Sequence, residues 1–290
     1  MSFLERIAAC RRWNPEDYRP FVIAGRAMGR VGHGLARSLA EFDAVFEVGD
    51  RAVRLADRLD DFASRTAAVG EVLQRLRERG AISSWRDEDY PVLRRWGDPP
   101  LMKMERAAVP LFGVRGFGVH LNGLVSAGGS AAPGDFKLWV ARRARDKATA
   151  PGKLDHLVAG GQPYGLGIQE NLVKECAEEA GIPGRLVAKA VPVGAVSYRC
   201  VREEGLRDDV LFCFDLELPA DFEPSNRDGE VEAFFLWPMT RVLETIAETE
   251  DFKFNVSLVI LDLAIRRGLL SPDRPDYQAI LEGLRRPEAA

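Results

Sequence analysis

Glu175, Glu178 and Glu179 crowd into one turn of the stretch 160–182, GGQPYGLGIQENLVKECAEEAGI. Read at about 100° per residue, Leu172, Val173, Cys176, Ala177 and Ala180 share one apolar arc. The glutamates gather opposite, away from that arc, with Glu179 close to its edge. Like charges one turn apart weaken an isolated helix by roughly 0.2–0.5 kcal/mol per pair. A hard divalent cation reverses that sign, because it takes oxygen ligands and is held by a few carboxylates together with substrate phosphate. The set therefore suits metal-assisted attack of water on a phosphate linkage. For three acids taken alone, an amphipathic helix with a solvated acidic face is the plainer alternative. The glycines sharpen the pattern: Gly160 and Gly161 precede the helix, and Gly181 stands where a left-handed C-cap belongs.

A diphosphate linkage carries dense negative charge, so its hydrolysis needs a cation on the oxygens and a base for the water proton. Glu175, Glu178 and Glu179 are the expected ligands of Mg²⁺ or Mn²⁺, with the backbone oxygen of Gly160 as a further one. Arg142 and Arg143, at the end of an expected strand, and Gly161, in the loop, are the expected phosphate contacts. Glu179 is counted with the catalytic residues, and the base stays open among Glu175 on the helix and Glu230 and Glu232 on one face of a later strand. Alternating glutamates on a strand also fit its solvated face. His33, His120 and His156 stand isolated and read as surface or hydrogen-bonded core residues.

The whole pattern resembles the signature of the Nudix hydrolases: Gly, five residues, Glu, seven residues, Arg-Glu, aliphatic, any, Glu-Glu, any, Gly, aliphatic. Gly160, Glu175, Cys176, Glu178, Glu179, Gly181 and Ile182 fill matching slots, while Leu166 replaces the early Glu and Lys174 the Arg. Lys174 can pair with Glu178 or Glu170 one turn away, as a point charge and not a bidentate fork. The phrases LWVARRARDKATAPGKLDHLVAGG and DGEVEAFFLWPMTRV are similar to the subgroup related to thiamine pyrophosphokinase, in which an N-terminal domain precedes the Nudix domain. That resemblance implies an α/β/α sandwich with the signature helix packed on a mixed sheet. It also implies pyrophosphohydrolase activity on thiamine diphosphate, or a damaged form of it, giving the monophosphate.

The elements that must hold these residues follow from pattern. Helices are expected at 3–13, 31–42 and from the Asp61 cap to 79, with a strand at 19–25 and a hairpin around Gly49-Asp50. Composition shifts near Asp98-Pro99-Pro100, which divides the chain into a small α+β domain, 1–108, and a catalytic domain, 109–290. In the latter, Asn122-Gly123 signals a hairpin. Strands are expected at 136–143, 154–159, 187–198, 210–218 and 230–237. Helices are expected at 239–248, 254–268 and 277–286, with 205–209 a loop at the site's mouth. Trp85, Tyr90 and Trp96, near the junction, either approach the site and hold an aromatic or cationic ring or pack the two domains together.

A net charge of −4, with no basic run carrying aromatics, argues against nucleic acid as partner. The run 256–265 is too short to span a bilayer. Four cysteines without CxxC spacing, and an N-terminus charged too early for a signal peptide, lead to the expectation of a cytoplasmic protein with reduced, buried thiols. Three readings compete: a hydrolase of thiamine diphosphate or a relative, a hydrolase of a nucleotide or nucleotide sugar with the N-terminal domain serving homodimerisation, and a non-catalytic ligand sensor. The crowded glutamates count against the third, since a pure binding module has no need of them.

Overall fold

Period-2 and period-3.6 stretches alternate along the chain, and the computed structural model, which describes residues 2–126, 135–147 and 149–285, converts them into stacked layers. The first hundred residues form α1 (Phe3–Ala9), β1 (Tyr18–Ile23), β2 (Arg26–Gly32), α2 (His33–Leu39), β3 (Phe46–Val48), β4 (Val53–Leu55), α3 (Phe62–Glu78), β5 (Asp89–Val92) and β6 (Met102–Glu105). Next come β7 (Arg115–Ser126), β8 (Phe136–Arg143), β9 (Leu154–His156), β10 (Val158–Gly161), α4 (Ile168–Glu179) and α5 (Gly184–Val187). The chain continues with β11 (Val191–Arg202), β12 (Gly205–Glu217), β13 (Val231–Pro238), α6 (Met239–Glu248), α7 (Val256–Arg266) and α8 (Tyr277–Arg285). Arg286, the expected last residue of the final helix, lies outside the described residues.

Strands β2-β1-β4-β3 form a small sheet whose apolar side chains pack on α2 and α3. The larger sheet runs β11-β12-β7-β8-β13, with β10 paired to β7 and β9 to β8. Its β7–β12 pairing is parallel and the rest antiparallel, so it is mixed. One face meets α4 and α5 through Val119, Leu121, Leu172 and Cys176. The other meets α6, α7 and α8 through Leu124, Leu138, Ile246 and Leu261. This is the expected α/β/α sandwich. Helix α1 joins the second of these cores: Phe3 and Ile7 bury there, and Ile7 crosses α8 at Gly283, where a Cβ would meet it at 2.8 Å.

Two sequence expectations fail for a shared reason. Asn122-Gly123 is no hairpin but the middle of β7, a strand paired on both edges. Asn122 is fully buried and donates from Nδ2 to Asp215 on β12 at 2.9 Å, while Leu157 and Leu218 fill the space that a Gly123 side chain would need. Likewise 205–209 opens β12 instead of forming a loop, because its charges find partners: Asp208 pairs with Arg199 at 2.8 Å, and Asp209 with Arg207 at 3.0 Å. Long-range pairing overrides local turn chemistry in both places. Asn122→Ala is expected to cost about 1–3 kcal/mol, read as a lower urea midpoint at unchanged slope.

Candidate active site

The signature helix α4 is docked by polar side chains as well as apolar ones. Strand β10 gives one edge to β7, and backbone groups of Ala159 and Gly161 turn to the helix instead. Ala159 N–H donates to Glu179 Oε2 at 2.8 Å, and Asn171 Nδ2 donates to the Gly161 carbonyl at 2.7 Å. Both side chains are buried beside Leu172 and Cys176, whereas Val173 is 42% exposed. The buried arc is thus rotated from the one that apolar spacing implies. Glu179 lies within it, and its expected place away from the apolar arc is corrected. Glu175 keeps only 13% of its side chain exposed and packs on Gly160, where any Cβ would overlap its carboxylate. Glu178 is half exposed and takes Lys174 Nζ at 2.8 Å, with Glu175 3.3 Å from the same ammonium. Gly181, at φ +63°, closes the helix as a left-handed cap, with Ile182 N–H bonded to the Cys176 carbonyl at 2.9 Å.

Burial sets the electrostatics. It pushes the Glu179 carboxyl up to about 8, and the nearby Glu175 charge adds to the push. Burial raises the Glu175 carboxyl too, against the pull of Lys174. Such acids have a standing demand for positive charge, met by a proton or a cation. Glu175 and Glu179, with Glu178 at the rim and a side-chain-free Gly160 between strand and helix, have the chemistry that a hard divalent ion requires.

The other sequence candidates are placed as follows. Glu230 sits just before β13 in an ion pair with Lys147, and Glu232 faces Arg145 at 3.6 Å. Arg142 lies over the Phe235 ring at 5.2 Å. Arg143 is buried, bonded to Asp155 Oδ2 at 2.9 Å and to the carbonyls of Thr149 and Ala150.

His120 and His156 are not isolated. The pairing of β10 with β7 and of β9 with β8 brings them together with Nδ1 atoms 2.9 Å apart, across 36 residues of sequence. With Asp155 they form the one compact His/Cys/Asp/Glu grouping among the described residues, with potential ligand atoms within 4.8 Å of one another. Two cations already attend that carboxylate, Arg143 at 2.9 Å and Lys253 at 3.2 Å. Against the upward push of burial, Lys253 and Arg143 hold Asp155 well below the ordinary carboxylate range. Burial lowers His156 to about 4 and His120 well below its ordinary value. The group is a neutral imidazole pair beside a paired carboxylate. A divalent ion there would stand against two buried cations.

Behind the glycines lies a cavity of about 240 Å³. Tyr90 and Arg106, which precede the larger sheet in the chain, line it together with Gly118, Gly160 and Gly161. Arg207, Asp209 and Lys253 line it as well, so the stretch expected at the mouth does reach the site, as strand. Of the three junction aromatics Tyr90 alone lines the cavity. Trp96 packs on Phe117 and Phe212, and Trp85 under Arg77. Sequence reasoning missed Arg106 and Lys253, each an unremarkable cation without a motif around it.

Comparisons with known proteins agree along nearly the whole chain. A family described as a domain of unknown function (DUF4743) matches residues 2–116. The chain is 42% identical over 288 residues to Nudix hydrolase 24, chloroplastic, of Arabidopsis thaliana, covering 98% of this chain and 78% of that protein. It is 40% identical over 296 residues to Nudix hydrolase 20, chloroplastic, of the same plant, with the same coverage. Among solved structures, DR0079 from Deinococcus radiodurans aligns at 19% identity and a TM-score of 0.46, over 60% of this chain and 97% of that one. The expected cytoplasmic location is overturned, since both plant relatives are named chloroplastic. The thiols are free and buried as expected, and among the described residues no helix is long and apolar enough to cross a membrane.

Proposed function

The chain belongs to the Nudix hydrolase family, and from that premise we propose a metal-dependent pyrophosphohydrolase that cleaves thiamine diphosphate, or a damaged analogue, to the monophosphate. One observation carries the reading: Glu175 and Glu179 are seated, nearly buried, against a glycine strand that borders a cavity. Mg²⁺ or Mn²⁺ would be held by Glu175, Glu178 and Glu179 with the Gly160 carbonyl. When bound, it supplies charge neutralisation at the phosphate oxygens and acidifies water. In the reaction water adds to phosphorus, the bond to the bridging oxygen breaks, and Glu175 takes the water proton. Its raised carboxyl suits a base, whereas Glu230 and Glu232 are engaged by Lys147 and Arg145. The cavity's Tyr90 and Phe117 support an aromatic organic group, and the quoted phrases similar to the thiamine pyrophosphokinase subgroup support thiamine.

The test is Mg²⁺-dependent hydrolysis of thiamine diphosphate, nucleoside diphosphates, nucleotide sugars and inorganic pyrophosphate, with the phosphomonoester and phosphate products resolved by chromatography. Thiamine diphosphate is expected to give a kcat/KM at least about 10-fold above the rest, equivalent to about 1.4 kcal/mol of discrimination. A preferred nucleotide substrate replaces the thiamine assignment, and no hydrolysis of any of them removes the hydrolase reading. Metal should also act on stability. Mg²⁺ at about 100 times its dissociation constant is expected to add about 2.7 kcal/mol, so a melting temperature indifferent to Mg²⁺ and chelator counts against the site.

A further inference from the structure

The N-terminal residues do more than flank the cleft. Tyr164, in the loop between β10 and α4, stacks on Phe62 of α3 with ring centroids 5.5 Å apart, and its N–H donates to the Asp89 carbonyl at 2.8 Å. A few residues earlier, a Cβ on Gly161 would overlap the Tyr90 hydroxyl and lie 2.8 Å from the ring carbon bearing it. It would also come within 3.4 Å of the Arg106 guanidinium carbon. Glycine at 161 is therefore required by close approach: it leaves room for two side chains from the part of the chain that precedes β7. Gly160 makes the same allowance for Glu175. The strand is stripped of side chains where an acid packs on one residue and cation and phenol on the next.

Arg106 has the properties of a ligand-binding cation. Its side chain is 46% exposed, lies 5.4 Å from the Tyr90 ring centroid, and is bonded to a single described carboxylate, Glu88, at 2.8 Å. It lines the cavity, and its charge is felt by both Glu175 and Glu230. Three other cations line the cavity, Arg86, Arg207 and Lys253. Arg207 is held by Glu204 at 2.7 Å and Asp209 at 3.0 Å, and Lys253 by Asp155 at 3.2 Å. Burial keeps the Tyr90 phenol protonated far above neutral pH, so its hydroxyl is available as a donor.

Resting on the hydrolase reading above, we infer that Arg106 is a phosphate-binding arm, with the Tyr90 hydroxyl as a second donor, both supplied across Gly161 by the N-terminal part of the chain. A planar guanidinium matches two phosphate oxygens at once. The arm neutralises substrate charge from the side of the strand opposite Glu175.

The experiment titrates inorganic pyrophosphate into the full chain under chelation, so that binding is read without turnover, and follows melting temperature in parallel. Arg106→Ala is expected to weaken binding about 10- to 100-fold, the worth of a charge-assisted bond, while melting within a few degrees of the parent. Arg106→Lys should recover part of the loss, and Tyr90→Phe should lose a few-fold. Glu88→Gln, which frees the guanidinium from its carboxylate, should tighten binding and keeps the idea testable should the alanine variant not fold. Unchanged affinity in Arg106→Ala overturns the arm, as does Glu88→Gln binding no tighter than the parent. Glu175→Gln separates this inference from the one beneath it, since it should abolish turnover and leave pyrophosphate binding at least as tight. If the parent hydrolyses no diphosphate yet Arg106→Ala weakens pyrophosphate binding, the hydrolase reading falls and the arm stands. If the parent is active and Arg106→Ala binds normally, the arm falls alone.

Discussion

Glu179→Gln is expected to lower Mg²⁺-dependent turnover by about 10²–10³-fold, the scale seen when one pre-placed electrostatic group is removed. In the chelated protein the same change should raise the melting temperature above pH 8. The sign follows from burial: the folded state holds this proton up to about pH 8, far above the ordinary glutamate value of 4.5. The group's contribution to stability is full below pH 4.5 and is lost as pH rises through about 8. Glutamine, which cannot ionise, escapes that loss and still accepts from Ala159. Parent and variant should therefore diverge in melting temperature as pH climbs from 5 to 9, and Mg²⁺ should stabilise the parent alone. Parallel melting curves over that range, or near-normal activity, would sink the assignment of Glu179. Glu178→Gln is also expected to cut turnover by orders of magnitude but without the pH signature, because its side chain is half exposed and already carries Lys174.

Asp155→Asn is expected to be the most damaging change to stability. It leaves Arg143 and Lys253 buried with their shared carboxylate gone, and breaking such a cluster from one side costs about 3–5 kcal/mol. For a chain of this size the melting temperature should fall by on the order of 10 °C. The parent has its own acid limit at the same place. His156 titrates at about 4 when folded and near 6.5 when unfolded, so the unfolded chain binds more protons between those values. Stability present above pH 6.5 is lost as pH falls toward 4. Asp155, its folded carboxyl held below the ordinary 3.8, adds a loss at still lower pH. A variant that melts like the parent at neutral pH would show that this cluster is not what braces β9 against β8 and the segment that precedes α7.

The signature was legible because side-chain chemistry and spacing alone carry it: Glu175, Glu178 and Glu179 share a turn whatever surrounds them. The orientation of the helix was not, because apolar spacing counts Val173 as core and Glu179 as solvent-facing. Backbone groups of β10 invert that order by binding Glu179 and Asn171. Elements with strong local period, such as α3 with its Asp61 cap and α6 at Met239–Glu248, were read closely. Elements decided by distant partners were not. Asn122-Gly123 carries a turn signal that only the neighbours of β7 cancel, and His120 meets His156 through strand order, which no spacing encodes. Arg106 belongs with these: its significance lies in what faces it across Gly161.

The packing of α1 bears on how the chain is made. Phe3, Ile7 and Cys10 belong to the core that α7 and α8 complete, and Arg11 donates to the Gly283 carbonyl 272 residues later. A ribosome adding roughly 5–20 residues per second needs tens of seconds to cover that interval. For most of it the first helix has been synthesised while α6, α7 and α8, which complete its core, have not. Closure of such a long loop comes last and slowly, so burial of Phe3 and Ile7 is completed only when the final helices emerge.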